Sequence, residues 1–397
     1  MAARLLAKSR YWRPDGTVEE ISLDRHARDV LQASDLMFGT PGQSTRLARQ
    51  WLRFFKLPME QYDAFIRNLQ LAAVFHDLGK ANDGFQAMVR GAGRRQDIRH
   101  EHLSALLLWL PEMREWLRGL ADRGVVPEVV VGAVLSHHLK ASHQSLAQPL
   151  GEAGVSDRVE VYAAAPAVTA TLALAASLFG VAAPRISQYV GTWAFDGGAS
   201  RRDISAMRND LRGALLAFGR GVASGRDETR RRLTMAVKVA LIAADSAGSA
   251  APRTGRDLAG WLGAAFADTP SLTADDIEGK VLGPRIAQME AAGRWRGYHD
   301  FQEQAATLGP RALLLAGCGS GKTMAAWRWA AAQLAEHEAS RILFLYPTRA
   351  TATEGFRDYV SWAGPDEAAL STGTARYDLE ELFANPGGGA DPRSGGD

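Results

Sequence analysis

Five histidines and two aspartates sit at the apolar edge or end of helix-like segments: His26, the adjacent His76 and Asp77, His100, the adjacent His137 and His138, and Asp245. An imidazole or carboxylate facing a core costs several kcal/mol unless something pairs with it. One such placement has a local explanation, a satisfied core histidine or a capping aspartate. Five segments carrying them constrain the chain to a fold in which these groups meet, and a shared metal centre would satisfy them together.

The spacings argue the same, segment by segment. In VVVGAVLSHHLK, His137 lies seven after Val130 and three after Val134, and His138 seven after Val131 and three after Leu135, so both are expected on the valine side of a helix. In RRRLTMAVKVALIAADSAGS the stripe Leu233, Val237, Leu241 continues onto Asp245, and Gly248 is expected to end the helix just beyond it. The segment LQLAAVFHDLGKAN is apolar all round until His76 and Asp77, then meets Gly79, as when a buried helix hands its last residues to a cleft. His26, three after Leu23 and four before Val30, lies on the flank of its own stripe. The leucines 103, 106, 107 and 110 leave His100 and His102 about equally far from the apolar face.

Ligand type narrows the ion. Imidazoles with carboxylates suit manganese, iron, cobalt, nickel or zinc better than magnesium or calcium, which prefer all-oxygen shells, and iron or manganese is expected. Seven ligands exceed one site with an open position, so two divalent ions bridged by a carboxylate is the economical arrangement, with Asp77 the natural bridge.

The order of these residues resembles a known family. Ala7 to Ser9 (AKS), DRHARDVL, FHDLGKAN, RHEHLSALLL, LSHHLK and ALIAADSAG together resemble the HD nuclease domain of Cas3, the nuclease-helicase of type I CRISPR interference. The resemblance implies that His26, His76, Asp77 and Asp245 hold one metal and Asp77, His100, His137 and His138 the other. It also selects His100 over His102, and sets Lys80 beside the substrate phosphate, making His76, Asp77 and Lys80 the catalytic residues. Leu139 stands where the family often has glycine after the histidine pair.

A second motif lies toward the carboxyl end. RALLLAGCGSGKTMAAWRWA reads as a strand, a glycine loop and a helix opening at Lys322 and Thr323, followed by a second strand, RILFLYP. In such a βαβ unit the loop N–H groups of Gly319, Ser320 and Gly321 cradle phosphates, Lys322 reaches the outer ones, and Thr323 offers a hydroxyl to magnesium. Ala316 in place of the first glycine, PTRA at Pro347 to Ala350 and Gln302 in FQEQ resemble superfamily 2 helicases, which implies ATP with magnesium and an adenine-reading role for Gln302. An ATPase of that class needs an acidic metal-binding strand and a second RecA-like domain that supplies arginines, and neither fits before Asp397. The DEAA at Asp366 to Ala369 follows Gly364 and Pro365 and reads as a loop, and the tail NPGGGADPRSGGD has the composition of a disordered end. A fragment or natural truncation without ATPase or helicase activity of its own is therefore expected.

The expected fold is mainly α: an all-helical HD bundle over residues 1–270, a linker and helicase lead-in over 271–309, and a truncated α/β RecA-like unit over 310–397. The single cysteine, Cys318, excludes an intrachain disulfide. No early apolar run is long enough for a signal peptide, and cytoplasmic location is expected. The uncharged stretch Ala163 to Pro184 is long enough for a bilayer, but its alanines, Pro166 and Gly180 insert weakly, which favours a buried helix and no membrane. Net charge is only +2, so any nucleic-acid contact is local. Arg90, Arg94, Arg95 and Arg99 lead into His100, and Arg230, Arg231 and Arg232 open the helix of Asp245, clusters that suit a phosphodiester track as well as a solvated face.

Taken with the resemblance, these features imply a metal-dependent endonuclease acting on single-stranded DNA exposed by the CRISPR surveillance complex (Cascade). Two other readings are a nucleotide phosphohydrolase, which needs only His26, His76, Asp77 and Asp245, and a non-catalytic docking module for that complex.

Overall fold

The computed structural model describes residues 4–12, 16–92, 98–138, 158–194, 202–203, 205–223, 228–254, 257–265, 271–317, 319–337, 339–363 and 368–371. Arg94, Arg95, Leu139, His143, Cys318, Asp366 and the tail from Asn385 lie outside the described residues. The chain divides into two units, Met1–Ala267 and Asp268–Asp397.

The first unit is helical. In order it contains α1 (Leu23–Phe38), α2 (Arg46–Phe54), α3 (Tyr62–Phe75), α4 (Asp83–Val89), α5 (His100–Leu108), α6 (Pro111–Arg118), α7 (Pro127–Leu135), α8 (Pro166–Ser177), α9 (Ser205–Ala223), α10 (Glu228–Thr254) and α11 (Leu258–Ala265). Their starts are written locally. Thr45 and Asn82 accept from the third N–H of α2 and α4, and Pro111, Pro127 and Pro166 open α6, α7 and α8, where a missing N–H costs nothing. α3, apolar from Leu71 to its end, is the central helix: Phe65, Ile66, Leu69, Leu71, Ala72, Ala73 and Phe75 are all fully buried. Around it pack α1, α7 and α10, and α5 lies on α7.

Two expectations about these helices change. Gly248 does not stop α10, which runs on to Thr254 and leaves Asp245 inside it. A Cβ on Gly248 would lie 2.9 Å from the Val30 nitrogen and 3.0 Å from the Asp29 carbonyl oxygen. This glycine thus lets α10 approach the backbone of α1, and the contact falls one turn beyond both His26 and Asp245. The helix within the uncharged stretch, α8, has 12 residues, about 18 Å at 1.5 Å per residue, short of a ~30 Å hydrocarbon core. Among the described residues, Glu228–Ala250 has the length and composition to cross a membrane. Here its Leu233, Val237, Leu241 and Ala244 are fully buried in the bundle.

The second unit departs furthest from expectation. Lys322–Glu336 forms the helix after the glycine loop, and Arg349–Ala363 another after PTRA. The segments expected as strands, residues 312–316 and 341–346, carry no strand ladder. Leu313 and Leu345 are more than four-fifths exposed. Strands of a parallel sheet are held by neighbours on both edges and by cover on both faces, and no described residue of this unit pairs as a strand beyond an isolated bridge between Leu272 and Ala339. The Lys322 ammonium donates to the carbonyls of Ala316 at 3.0 Å and Gly317 at 2.5 Å, Ser320 to that of Gly317, and the Gln302 amide to that of Gly321 at 3.0 Å.

Candidate metal centre

Five helices, α1, α3, α5, α7 and α10, bring the sequence-selected residues together. His26 lies in the first turn of α1, Asp245 inside α10, and His100 opens α5. α3 ends at Phe75, and the chain turns through His76, Asp77 and a tight 3-10 turn, Leu78–Lys80. That turn is locked to α5. Ser104 accepts from the Gly79 N–H and donates to the His76 carbonyl, both at 2.8 Å. The approach is so close that a Cβ on Gly79 would lie 2.1 Å from the His100 carbonyl oxygen.

His137 and His138 are not on the helix as the periodicity suggests. α7 stops at Leu135, and the pair follows it. Neighbours on a helix point about 100° apart, so leaving the helix is what lets both rings face one centre, 4.2 Å apart.

The Asp77 carboxylate lies between two groups of ligands. Its Oδ2 is 3.3 Å from His26 Nε2 and 3.3 Å from His76 Nε2, and its Oδ1 is 3.4 Å from His100 Nε2. Asp245 Oδ1 completes the first group, 3.2 Å from His26 Nε2 and 3.6 Å from His76 Nε2. His137 and His138 complete the second, with His138 Nε2 2.9 Å from His100 Nε2. In each trio, His26, His76 and Asp245 or His100, His137 and His138, the ligand atoms all lie within 4.8 Å of one another. His102 belongs to neither trio, although both its ring nitrogens are buried without a hydrogen bond.

The donor set fits divalent ions of the imidazole-loving kind. Nε2 of His26, His76 and His137 and Oδ1 of Asp77 are buried with no hydrogen-bond partner, each at a cost of about 1–3 kcal/mol if left so. His76 Nδ1 donates to the Ala73 carbonyl at 2.8 Å and His137 Nδ1 to that of Val134 at 2.6 Å. Because a carbonyl can only accept, Nδ1 carries the proton of each neutral ring, which leaves Nε2 as the nitrogen that would face a metal.

The electrostatics separate the two groups. For His76 burial works against the charged form, but Asp77 and Asp245 outweigh it and raise the pKa to about 10. Burial likewise opposes ionisation of Asp77 and Asp245, yet the histidines, with Lys80 beside Asp77, hold both carboxyls well below the ordinary range. The 3.3 to 3.6 Å separations make these contacts ion pairs more than well-formed hydrogen bonds. In the second group burial, with Lys80 near His100 and His76 near His137, lowers His100 well below its usual value and His137 to about 3. Those two rings are neutral at neutral pH.

Lys80 does not face solvent. Its ammonium bonds Asp77 Oδ2 at 2.5 Å and the Ala7 carbonyl at 3.0 Å, 5.1 Å over the Phe85 ring, a place from which it orients Asp77. Several arginines of the expected phosphate track are also engaged: Arg90 with Gln86 and the Arg4 carbonyl, Arg99 with Glu101, Arg232 with Glu228 and the Lys56 carbonyl. Sequence reasoning passed over Ser104, the close-packing roles of Gly79 and Gly248, and Glu101, a buried carboxylate 3.6 Å from His100 Nδ1. RHEH carried a hint, since an acid beside a ligand histidine is a recurrent orienting device.

The sequence pattern of the family "Cas3, HD domain" matches residues 7–250, a span that holds all seven candidate ligands. The chain is 32% identical over 386 residues to a protein of Myxococcus xanthus (strain DK1622) that carries the name CRISPR-associated nuclease/helicase Cas3. The alignment covers 95% of this chain and 46% of that relative, so the chain spans about half of its length. With the HD motifs gathered at one centre and the match running through all of them, the chain belongs to the Cas3 family, in the region of its HD domain.

Proposed function

We propose that the chain is a metal-dependent endonuclease that cleaves single-stranded DNA in type I CRISPR interference, in the cytoplasm and together with the Cascade surveillance complex. One observation carries this reading: the two oxygens of Asp77 face two separate ligand groups, the arrangement a two-metal phosphodiesterase requires. His26, His76, Asp77 and Asp245 would hold one ion, and Asp77, His100, His137 and His138 the other, with iron, manganese, cobalt, nickel or zinc suited to the set. Bound there, the ions would activate water for in-line attack on phosphorus and stabilise the leaving 3′ oxygen. The chain's own residues prepare that chemistry. The Ala73 and Val134 carbonyls fix the tautomers of His76 and His137, and Lys80 holds the Asp77 carboxylate between the two trios, where it would be shared by the ions. Among the described residues of the centre, Asp245, a quarter exposed, and half-buried His138 reach the surface, and the phosphodiester would approach there. The single-ion phosphohydrolase reading leaves the second trio without a role. ATP with magnesium would belong to the loop of Gly319, Ser320, Gly321, Lys322 and Thr323, beside Gln302, once its strands are paired into a sheet.

The test is cleavage of single-stranded DNA in manganese by wild type and Asp77→Ala. Loss of cutting with retained helical circular dichroism is expected. Wild-type rates from the Asp77→Ala protein would overturn the two-metal mechanism.

A further inference from the structure

Among the described residues, the lysines Lys80 and Lys8 both stand near the centre, in different settings. Lys80 is buried, and its charge is spent on Asp77. Lys8 is half-buried and lies near Asp245, the partly exposed carboxylate of the centre. Its ammonium donates to the Ser249 hydroxyl, and that hydroxyl donates to Asp245 Oδ1 at 3.0 Å. This is the same oxygen that faces His26 and His76. Lys8 is thus two hydrogen bonds from a ligand atom, on the side where the centre is exposed.

The segment carrying Lys8 is held by hydrogen bonds on both sides. Its backbone pairs with the residues before α1, Ala7 N–H to the Ile21 carbonyl at 2.8 Å and Leu23 N–H to the Leu5 carbonyl at 3.0 Å. From the other side the buried Gln86 amide clasps Leu6, accepting from its N–H at 3.0 Å and donating to its carbonyl at 2.8 Å. The Ala7 carbonyl in turn accepts from Lys80. A segment held on both sides places the next side chain reproducibly, which is what a group meant to meet a substrate needs and a solvated surface lysine does not. The acidic groups that Lys8 faces, Asp29 and Asp245, keep its ammonium at the rim in the absence of an anion.

We propose that Lys8 is a substrate-binding residue: its ammonium takes a non-bridging oxygen of the phosphodiester seated over Asp245, exchanging the Ser249 hydroxyl for the anion. The inference rests on the nuclease reading above and extends it by assigning the phosphate contact to Lys8 instead of Lys80.

The experiment uses the full chain with Lys8→Ala and Lys8→Arg. Metal content is measured for each, with kcat and KM for cleavage of an oligothymidylate in manganese. Anisotropy of the same fluorescent oligothymidylate, with metal chelated so that it stays intact, is followed across potassium chloride concentrations. Each phosphate contact to a single strand contributes about 0.7 to the slope of log affinity against log salt, so Lys8→Ala lowers that slope by about 0.7 and raises KM, with metal content unchanged. Lys8→Arg restores both. An unchanged slope and KM in Lys8→Ala, beside a wild type that cuts, overturns this inference alone, as does loss of metal from Lys8→Ala, which would make the residue a support for Asp245. A wild type that neither binds nor cuts the probe overturns the nuclease reading and this inference with it.

Discussion

Gly79→Ala tests how the turn that carries His76 and Asp77 is held to the helix that carries His100. The added Cβ would lie 2.1 Å from the His100 carbonyl oxygen and 2.4 Å from the Ser104 nitrogen. Both obstacles are backbone, so no side chain can swing aside. Reaching the 3.4 Å of ordinary contact requires the start of α5 to retreat by about 1.3 Å. Overpacking of this kind costs typically 1–3 kcal/mol, and backbone obstruction puts this site at the upper end, about 3 kcal/mol. For a unit of this size that lowers Tm by about 6–12 °C. The retreat carries His100 away from Asp77 Oδ1, so the second group opens while the first survives, and a misplacement of about 1 Å lowers cleavage by about 100-fold. Thermal melts followed by circular dichroism, metal analysis and a single-stranded DNA cleavage assay read the three consequences separately. A Gly79→Ala protein with wild-type Tm and wild-type metal content would refute the packing argument.

Two further outcomes follow from the charges. His76 keeps its proton up to about pH 10, so a metal entering the first group must displace it, and affinity there rises with pH by about tenfold per unit between pH 6 and 9. His100 and His137, both lowered, add no pH dependence in that window. Calorimetry in buffers of different ionisation enthalpy should find about one proton released per chain at pH 7, and release of none would contradict the ion-paired state of His76. In the metal-free protein the same raised pKa stabilises the fold below the ordinary 6.5 and is lost as pH rises through about 10. Lys322, bonded to the carbonyls of its own loop, takes no part in the nuclease, so Lys322→Ala leaves single-stranded DNA cleavage unchanged and phosphate release from ATP stays absent in both proteins. DNA-stimulated turnover of about 1 s⁻¹ or more that disappears in Lys322→Ala would contradict this.

Periodicity identified the groups that meet at the centre because burying an imidazole or carboxylate is costly enough to mark a sequence. It did not show how they meet. His137 and His138 fit a helical stripe, yet they converge only because α7 ends before them. Asp245 fits the end of a stripe, yet α10 continues past it and Gly248 serves the contact with α1. A glycine that ends a helix and one that admits a neighbouring backbone look alike in sequence, since the difference lies in a partner far along the chain. The same holds for Lys8, whose bond to Ser249, and through it to Asp245, joins residues 241 apart in the chain. The apolar runs around Leu313 and Leu343 have strand composition, but composition alone does not supply the neighbouring strands that would bury them.

The account turns on Asp77 serving two ions at once, and counting metal tests this most directly. Wild type, His137→Ala and Asp77→Ala are loaded with manganese, freed of excess, and analysed for metal per folded chain. Two ions are predicted in wild type, one in His137→Ala and none in Asp77→Ala. A single ion in wild type, unchanged in His137→Ala, would contradict the bridged centre and return the chain to the single-ion phosphohydrolase reading.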